Sequence, residues 1–488
     1  MDCKRALLAT VMSVAPFLPS AAFSQSVAEA VRSGLDNSPT LAAARARVSG
    51  VMEQQVQAKN LRRPSVQLTG ETTILQNAVR RQDGTYNLGQ TEPGTVSISV
   101  SQPLMLGGRF QAATREADLR VARTVARLRS QELQEVRLII QAYAGVRRDF
   151  EVAAIRAQGV SWLSQQLVGA QARQNEGLVG LTEVSQVQTR LSTARAASIS
   201  AQARLQASWA TLERLVGFQP TGLTEDKLNS VGIPGTLGEA IDLALATSND
   251  LKASRLDEEV ARAVARTAQA ETGPRVNLQA GVTARSDIGY NGGRNYDAQI
   301  GARVVIPLWS SGQPQSRVRA ALAESNAARL DSMAGERRIK ELVTQAWASL
   351  QAAEESIVVA EELVGSAQSA RTGAELEFDI GLRSIIEVLN QEQELQESKV
   401  NLENSKANLM IAQAGMSELI GLDPTGVISE ATQFDPTKLD APFTTLTPGK
   451  LAAWERPLVD TFETIDDLSI SSLPSLRSVR KSIFGPEQ

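Results

Sequence analysis

Apolar and polar positions alternate along two stretches in each half of this chain. Val276, Leu278, Ala280, Val282 and Ala284 are separated by Asn277, Gln279, Gly281, Thr283 and Arg285. Ala298, Ile300, Ala302, Val304 and Ile306 alternate with Gln299, Gly301, Arg303 and Val305. Earlier, Val66 and Leu68 stand between Ser65, Gln67 and Thr69, and Val96, Ile98 and Val100 between Thr95, Ser97, Ser99 and Ser101. Period two predicts strands with one apolar and one polar face, over about 65–76, 95–105, 275–286 and 297–308. Runs of about ten residues suit tilted transmembrane strands. A soluble sheet has the same pattern but needs a compact apolar cover, which the long, slim neighbouring helices do not offer. The joins "RRQDGTYNLGQTEPG" and "DIGYNGGRNYD" are polar and Gly-rich and read as surface loops.

The rest of the chain reads as helix. Patterns over Pro39–Arg63 and Asp250–Gly273 end at Pro64 and Pro274. A far longer one runs from about Arg109 to Gln174, or about 100 Å. After a break at Gly177–Gly180, another runs from about Leu181 to Val216, or about 50 Å. Two short helices end to end therefore match one long helix, with the strands at one end and the Gly177 and Gly381 turns at the other.

The two halves are copies. Pro103-Leu104 and Pro307-Leu308 are 204 residues apart (307 less 103). Gly177 and Gly381, Leu215-Val216-Gly217 and Leu419-Ile420-Gly421, and Pro220 and Pro424 keep the same spacing. Upstream, Leu41 and Leu251, like Pro64 and Pro274, are 210 apart (251 less 41), which places six extra residues between Pro64 and Pro103. A register held this far marks a tandem duplication. The expected organisation is a signal peptide over 1–24, a first repeat over 25–221, a linker or equatorial segment over 222–247, a second repeat over 248–424, and an equatorial and flexible tail over 425–488.

Composition narrows the class. Aromatics are 4% of 488 residues, too few for a conventional large mixed core. The wealth of Ala, Leu, Gln, Glu and Arg favours long helices meeting through small side chains. A net charge of -4 gives no basic footprint for nucleic acid. Histidine is absent, which removes the commonest general base and metal ligand. No phosphate loop, serine elbow or metal spacing appears, so an enzyme is not expected, nor any cofactor or metal. Lys4 and Arg5, the apolar run Ala6–Leu18, and small Ala21, Ala22 and Ser24 read as a secretory signal cut near residues 22–25. Cys3 precedes that run and is no lipid-attachment cysteine. Later segments fall short of the roughly 20 apolar residues of a membrane helix.

Two repeats supply four strands, and four strands cannot close a barrel; outer-membrane barrels begin at about eight. An open edge is not tolerated in lipid, so several chains must share one barrel. With this duplicated order, with "SQPLMLGGR" and "IPLWSSGQ" at strand ends, "NEGLVGLTEVSQVQ" and "FDIGLRSIIEVLNQ" at the turns, and "LERLVGFQP" and "MSELIGLDP" at the closings, the chain resembles the TolC-like outer membrane channel proteins of Gram-negative bacteria. The resemblance covers nearly all of it from the signal to about Pro424.

That resemblance implies a mainly α fold with β. Tandem helix–β-hairpin–long helix–helix units form, as a homotrimer, a 12-stranded transmembrane barrel on a long periplasmic tunnel. It implies a location in the cell outer membrane, in contact with its lipid. It further implies a periplasmic adaptor and an inner-membrane transporter of ABC or RND type as partners. The cargo, protein by type I secretion or small toxic compounds, is left open. An extended coiled-coil scaffold or adhesin without a channel is the rival reading, and lacks any use for two alternating hairpins. A periplasmic adaptor would need a compact β domain and no duplication.

The resemblance also assigns residues. Glu387 and Asn390 of "IIEVLN" fall at the constriction ring, with only one of the two acidic. Arg383 and Phe378 fall at links that hold the closed tip, with Thr182 and Glu183 as partners on the facing tip, so an Arg383–Glu183 contact is expected. Phe378 has no hydroxyl to offer such a link. Gly177, Leu178, Gly381 and Leu382 fall at the adaptor contact. Plainer roles compete. Ser384 and Glu387 have capping-box spacing, Glu183 suits a helix N-terminus, and the two glycines allow a turn.

Overall fold

The computed structural model describes residues 25–428, apart from 74, 81, 83–85, 219, 221, 225–227, 229–231 and 289–293. The signal-peptide reading of 1–24 and most of the tail from 425, including "SLRSVRKSIFGPEQ", lie outside the described residues. The first half contains α1 (Val27–Asn37), α2 (Pro39–Lys59), a 3-10 turn, β1 (Ser65–Thr72), β2 (Leu75–Arg80), β3 (Tyr86–Leu106), α3 (Arg109–Asn175) and α4 (Leu181–Val216). The second contains α5 (Leu237–Thr247), α6 (Asn249–Ala270), β4 (Arg275–Ile288), β5 (Arg294–Val305), α7 (Gln313–Asp379) and α8 (Ile385–Leu419).

Three features differ from the sequence reading. First, short helices α1 and α5 precede each half, and α5 occupies part of the stretch read as linker. Each is capped at its start, by the hydroxyl of Ser26 or Thr236, and each ends at a serine, Ser38 or Ser248, that caps the next helix. The cap residue breaks the helical run, so two helices hide behind one apolar pattern. Second, α2 stops at Lys59, and Arg63 is extended, as the residue before a proline is biased to be. Third, the polar join after Arg80 is largely strand. β2 continues the register of β1, and Tyr86–Thr91 pairs with Leu75–Arg80. Its sequence mixes polar and apolar residues without regular alternation, so it has no period-two signal.

Packing follows the duplication. α3 lies against α2 and α4 on one side and against α6 and α8 on the other, whereas α7 lies against α5, α6 and α8. Two cores sit at mid-length. One gathers Val31, Ile139, Ile140, Leu212 and Val216, and the other Ala244, Val343, Leu350, Met416 and Ile420. Tyr143 is fully buried in the first. Its hydroxyl lies 2.9 Å and 2.8 Å from the carbonyl oxygens of Gln25 and Thr224. Those two segments also meet in a parallel bridge, Gln25 beside Leu223. Close approach elsewhere depends on glycine. Gly107, with φ of 60°, and Gly273 cross so tightly that a Cβ on either would sit 2.8 Å from the other's Cα.

Candidate functional site

The sheet has two chemically distinct faces that run across β1, β3, β4 and β5. Its order is β1-β3-β4-β5, antiparallel throughout, with β2 extending β1 beside β3. The register aligns Val66, Val100, Ala280 and Ile300 in one row, and Leu68, Ile98, Val282 and Ala298 in the next. The opposite face carries the rows Gln67, Ser99, Gly281, Gln299 and Thr69, Ser97, Thr283, Asp297. Neighbours in a row share a face, so over these rows one face is apolar and the other polar, with Gln102 beside Leu278 as a polar exception at the helical end of the apolar face. The apolar face is bare: Val66, Leu68, Ile98, Val282, Ile300 and Val304 are all exposed. From Val276 to Ala284 it spans about 26 Å along the strand, the scale of a hydrocarbon band. Tyr296 at one end and Trp309, 85% exposed, beyond the other place aromatics where membrane interfaces hold them. The outer edges of β1 and β5 have no partner strand among the described residues.

At the far end, the two helical turns are built alike. Gly177 and Gly381 both adopt φ of 78°. The Leu178 amide donates to the Arg173 carbonyl at 2.9 Å and the Gly177 amide to Gln174 at 2.9 Å. The Leu382 amide donates to Glu377 at 2.8 Å and the Gly381 amide to Phe378 at 2.9 Å. This paired pattern is the Schellman motif, and the left-handed residue has to be glycine-like. The same motif ends α8 at Gly421, where Leu422 follows and packs into the mid-length core. At the tips the equivalent leucines do not pack. Leu178 is 69% and Leu382 75% exposed, beside exposed Leu181 and Ile380.

Within this frame, Ile385, Val388 and Leu389 bury one face of α8, with Val187 and Leu191 of α4 in the same cluster. Glu387 and Asn390 follow one another at helical spacing on the exposed side of α8, and Arg383 stands exposed in the turn just before it. The expected Arg383–Glu183 contact is not formed within the protomer. Arg383 pairs instead with Glu377 and, at 3.4 Å, with Glu387, the carboxylates of its own tip and its nearest opposite charges. Thr182 is exposed and Glu183 half-buried in the first turn of α4. The capping box at Ser384 is also absent. Ser384 stands at the N-cap without a side-chain hydrogen bond: the Glu387 amide donates to the Ser384 carbonyl at 3.2 Å, and the Glu387 carboxylate is engaged by Arg383.

The links that do join the two tips were not anticipated. Arg190 of α4 donates to Asn390 Oδ1 at 3.0 Å and to the Gln393 amide oxygen. The Arg173 guanidinium of α3 stacks 4.9 Å from the centre of the Phe378 ring, so Phe378 provides a π face where a hydroxyl was missed. Arg371 of α7 reaches Glu392 at 3.1 Å and Glu375 at 3.1 Å while lying over Trp162 of α3, 5.8 Å from its ring centre. Helical spacing alone would have set Arg190 on the exposed stripe of α4; its partner on α8 needed the fold.

The duplication and the sheet agree with what known proteins show. The outer membrane efflux protein family model matches residues 30–218 and again 240–422, one match for each half. The chain belongs to the outer membrane efflux protein family. Outer membrane efflux protein BepC of Brucella suis is 25% identical over 421 residues, covering 86% of this chain and 90% of BepC. Outer membrane protein TolC of Vibrio cholerae is 24% identical over 419 residues, covering 83% of this chain and 92% of TolC. The crystal structure of the outer membrane protein VceC from Vibrio cholerae shares the fold, with a TM-score of 0.68 at 22% identity over 81% of this chain and 96% of VceC. For an outer membrane efflux protein the bare apolar face has a solvent, the hydrocarbon of the outer membrane. The polar face then lines a passage, and the helices extend from the barrel into the periplasm. No helix among the described residues is long and apolar enough to cross a membrane; the sheet is the element built for it.

Proposed function

We propose that this outer membrane efflux protein works as a homotrimeric duct, the exit of a tripartite export system. Three copies close a twelve-stranded barrel, the helices form the periplasmic tunnel, and the tips close it. The observation that carries this reading is the sheet with one bare apolar face, one polar face and two open edges. In lipid every backbone group must be paired, and copies of the same sheet supply the missing partners. The tips have two tasks. The stripe Arg383, Glu387 and Asn390, with Arg190 holding Asn390 and Arg173 on Phe378, fastens the closed end. Thr182 and Glu183 face the neighbouring copy there. The leucines freed from the two Schellman turns, Leu178 and Leu382 beside Gly177 and Gly381, form the apolar contact for a periplasmic adaptor. That adaptor joins the duct to an inner-membrane transporter of ABC or RND type.

Single-channel conductance in a planar bilayer tests this. Wild type is expected to conduct weakly, and Arg190→Ala with Arg383→Ala to conduct more. Unchanged conductance would keep the duct and remove these arginines from the gate. Absence of channels from folded, trimeric protein would contradict the duct itself.

A further inference from the structure

Contacts inside one half recur in the other at residue level. Arg45 of α2 meets Glu132 of α3 at 3.8 Å. Moved along by the repeat offsets, the same pair is Arg255 of α6 and Glu336 of α7, at 2.8 Å. The hairpins agree too: Ser65 pairs with Ser101 in the first, and their equivalents Arg275 and Val305 pair in the second. The operation that carries the first half onto the second therefore preserves register. Applied once more, it carries the junction between the halves onto a junction between this chain and the next copy.

Inside the chain, that junction sets α3 against α6 and α8. Arg127 pairs with Asp257 at 2.7 Å, and Arg137 with Glu418. Carried forward, Arg127 becomes Asp331 and Asp257 becomes Arg47. Arg137 becomes Glu341 and Glu418 becomes Arg214. Both pairs arrive with their signs exchanged and are still complementary. All four side chains are exposed. Among the described residues Asp331, Arg47 and Arg214 have no ion-pair partner, and Glu341 accepts a hydrogen bond from Gln345 at 3.3 Å. The apolar side tells the same story. Ala126 on the covered face of α3 is 3% exposed, and its equivalent on α7, Leu330, is 52% exposed in a shallow groove with Met333 and Glu341. In the sheet, Ser101 of β3 pairs with Gln279 of β4; their equivalents are Val305 on the free edge of β5 and Thr69 on that of β1.

We propose that a second copy of this chain docks in one register. Its α2 and α4 lie on the open face of α7, with its Arg47 against Asp331 and its Arg214 against Glu341. Its β1 joins β5 with Thr69 beside Val305. This rests on the trimeric reading and specifies its seam. The exchanged signs also discriminate between the two seams. Were α3 to take the neighbour's α2, Arg127 would meet Arg47; were α7 to take an α6 on that face, Asp331 would meet Asp257. Like charges so placed disfavour each wrong pairing, which keeps α3 inside its own chain and reserves α7 for the next.

The test uses the full chain in detergent in a Cys3→Ser background, with native mass measured first. Residues directly opposed across antiparallel strands lie about 4.5–5.5 Å apart, within the reach of a disulfide. On oxidation, Thr69→Cys with Val305→Cys should shift the chain to covalent trimer on a denaturing gel, while Glu71→Cys with Val305→Cys should not. A native trimer that cross-links through 71 and 305 instead would overturn the register and leave the trimer standing. A monomeric mass would overturn both. For the helices, Asp331→Arg should lose trimer on mild heating and addition of Arg47→Asp should restore it. Loss without restoration would refute the Asp331–Arg47 contact.

Discussion

Three residues show how individual side chains hold this structure. The Tyr143 hydroxyl adds a side-chain tie to the backbone bridge between the segments at Gln25 and Thr224, in a core built mostly from aliphatic side chains. Tyr143→Phe keeps the ring and removes the donor at the Thr224 carbonyl, while the Gln25 carbonyl keeps the Thr224 amide at 3.1 Å, so the cost is about 1 kcal/mol. Thermal unfolding should show a lower midpoint, and an unchanged one would mean that another donor satisfies the Thr224 carbonyl. Gly159 lets Gln396 of α8 cross the long helix α3, and a Cβ there would overlap the Gln396 amide. Gly159→Ala should therefore push the Gln396 amide aside and break its hydrogen bond to Glu392, a loss that offsets the about 1 kcal/mol by which alanine favours helix. Gly159→Ala with Gln396→Ala should recover the loss, read from the same melting curves. Failure to recover would place the conflict elsewhere on α3. Neither contact was visible in the sequence, where Tyr143 and Gly159 are single letters inside a long helical pattern.

At the scale of elements, the sheet gives the sharpest contrast. Ile300 lies on the apolar face and Gln299 on the polar one, one residue apart. Ile300→Arg should cost about 2–4 kcal/mol in lipid, as a charge does near the midplane, whereas Gln299→Arg should be nearly neutral. Refolding of the two variants into vesicles under a urea series would measure the difference, and equal losses would contradict two-sidedness. These strands were legible because lipid imposes a strict period of two. The arm formed by β2 and the start of β3 was not, because polar and apolar residues are mixed along it without a period of two. The helices were legible in length, since Pro and Gly mark their ends. α1 and α5 were not, because a serine serves as the end of one helix and the cap of the next. At the tips, the glycine turns could be read from spacing, and Arg383, Glu387 and Asn390 were placed there by the family resemblance. The partners could not. Arg383 chose the acids of its own tip over Glu183, and Arg190 reached Asn390 from a helix 200 residues away in sequence.

For the molecule as a whole, the duplication organises everything. One unit cannot bury its helices or close its sheet. Two units form one inter-unit junction and leave a second one open at α7 and β5. Its exposed leucine and sign-exchanged charges repeat the first junction in a form that another copy completes. The same logic explains why a chain with 4% aromatics can be stable at this size. Its buried surface is spread along helices about 100 Å long and gathered at mid-length, not concentrated in a single thick core. All of this requires the sheet to turn one face to lipid and the other to a water-filled passage. That orientation is tested most directly by labelling single cysteines along β5 in outer-membrane-like vesicles with a membrane-impermeant thiol reagent, in the Cys3→Ser background. Labelling should alternate, with Gln299→Cys, Gly301→Cys and Arg303→Cys labelled and Ala298→Cys, Ile300→Cys and Ala302→Cys protected. Uniform labelling of all six would contradict that orientation.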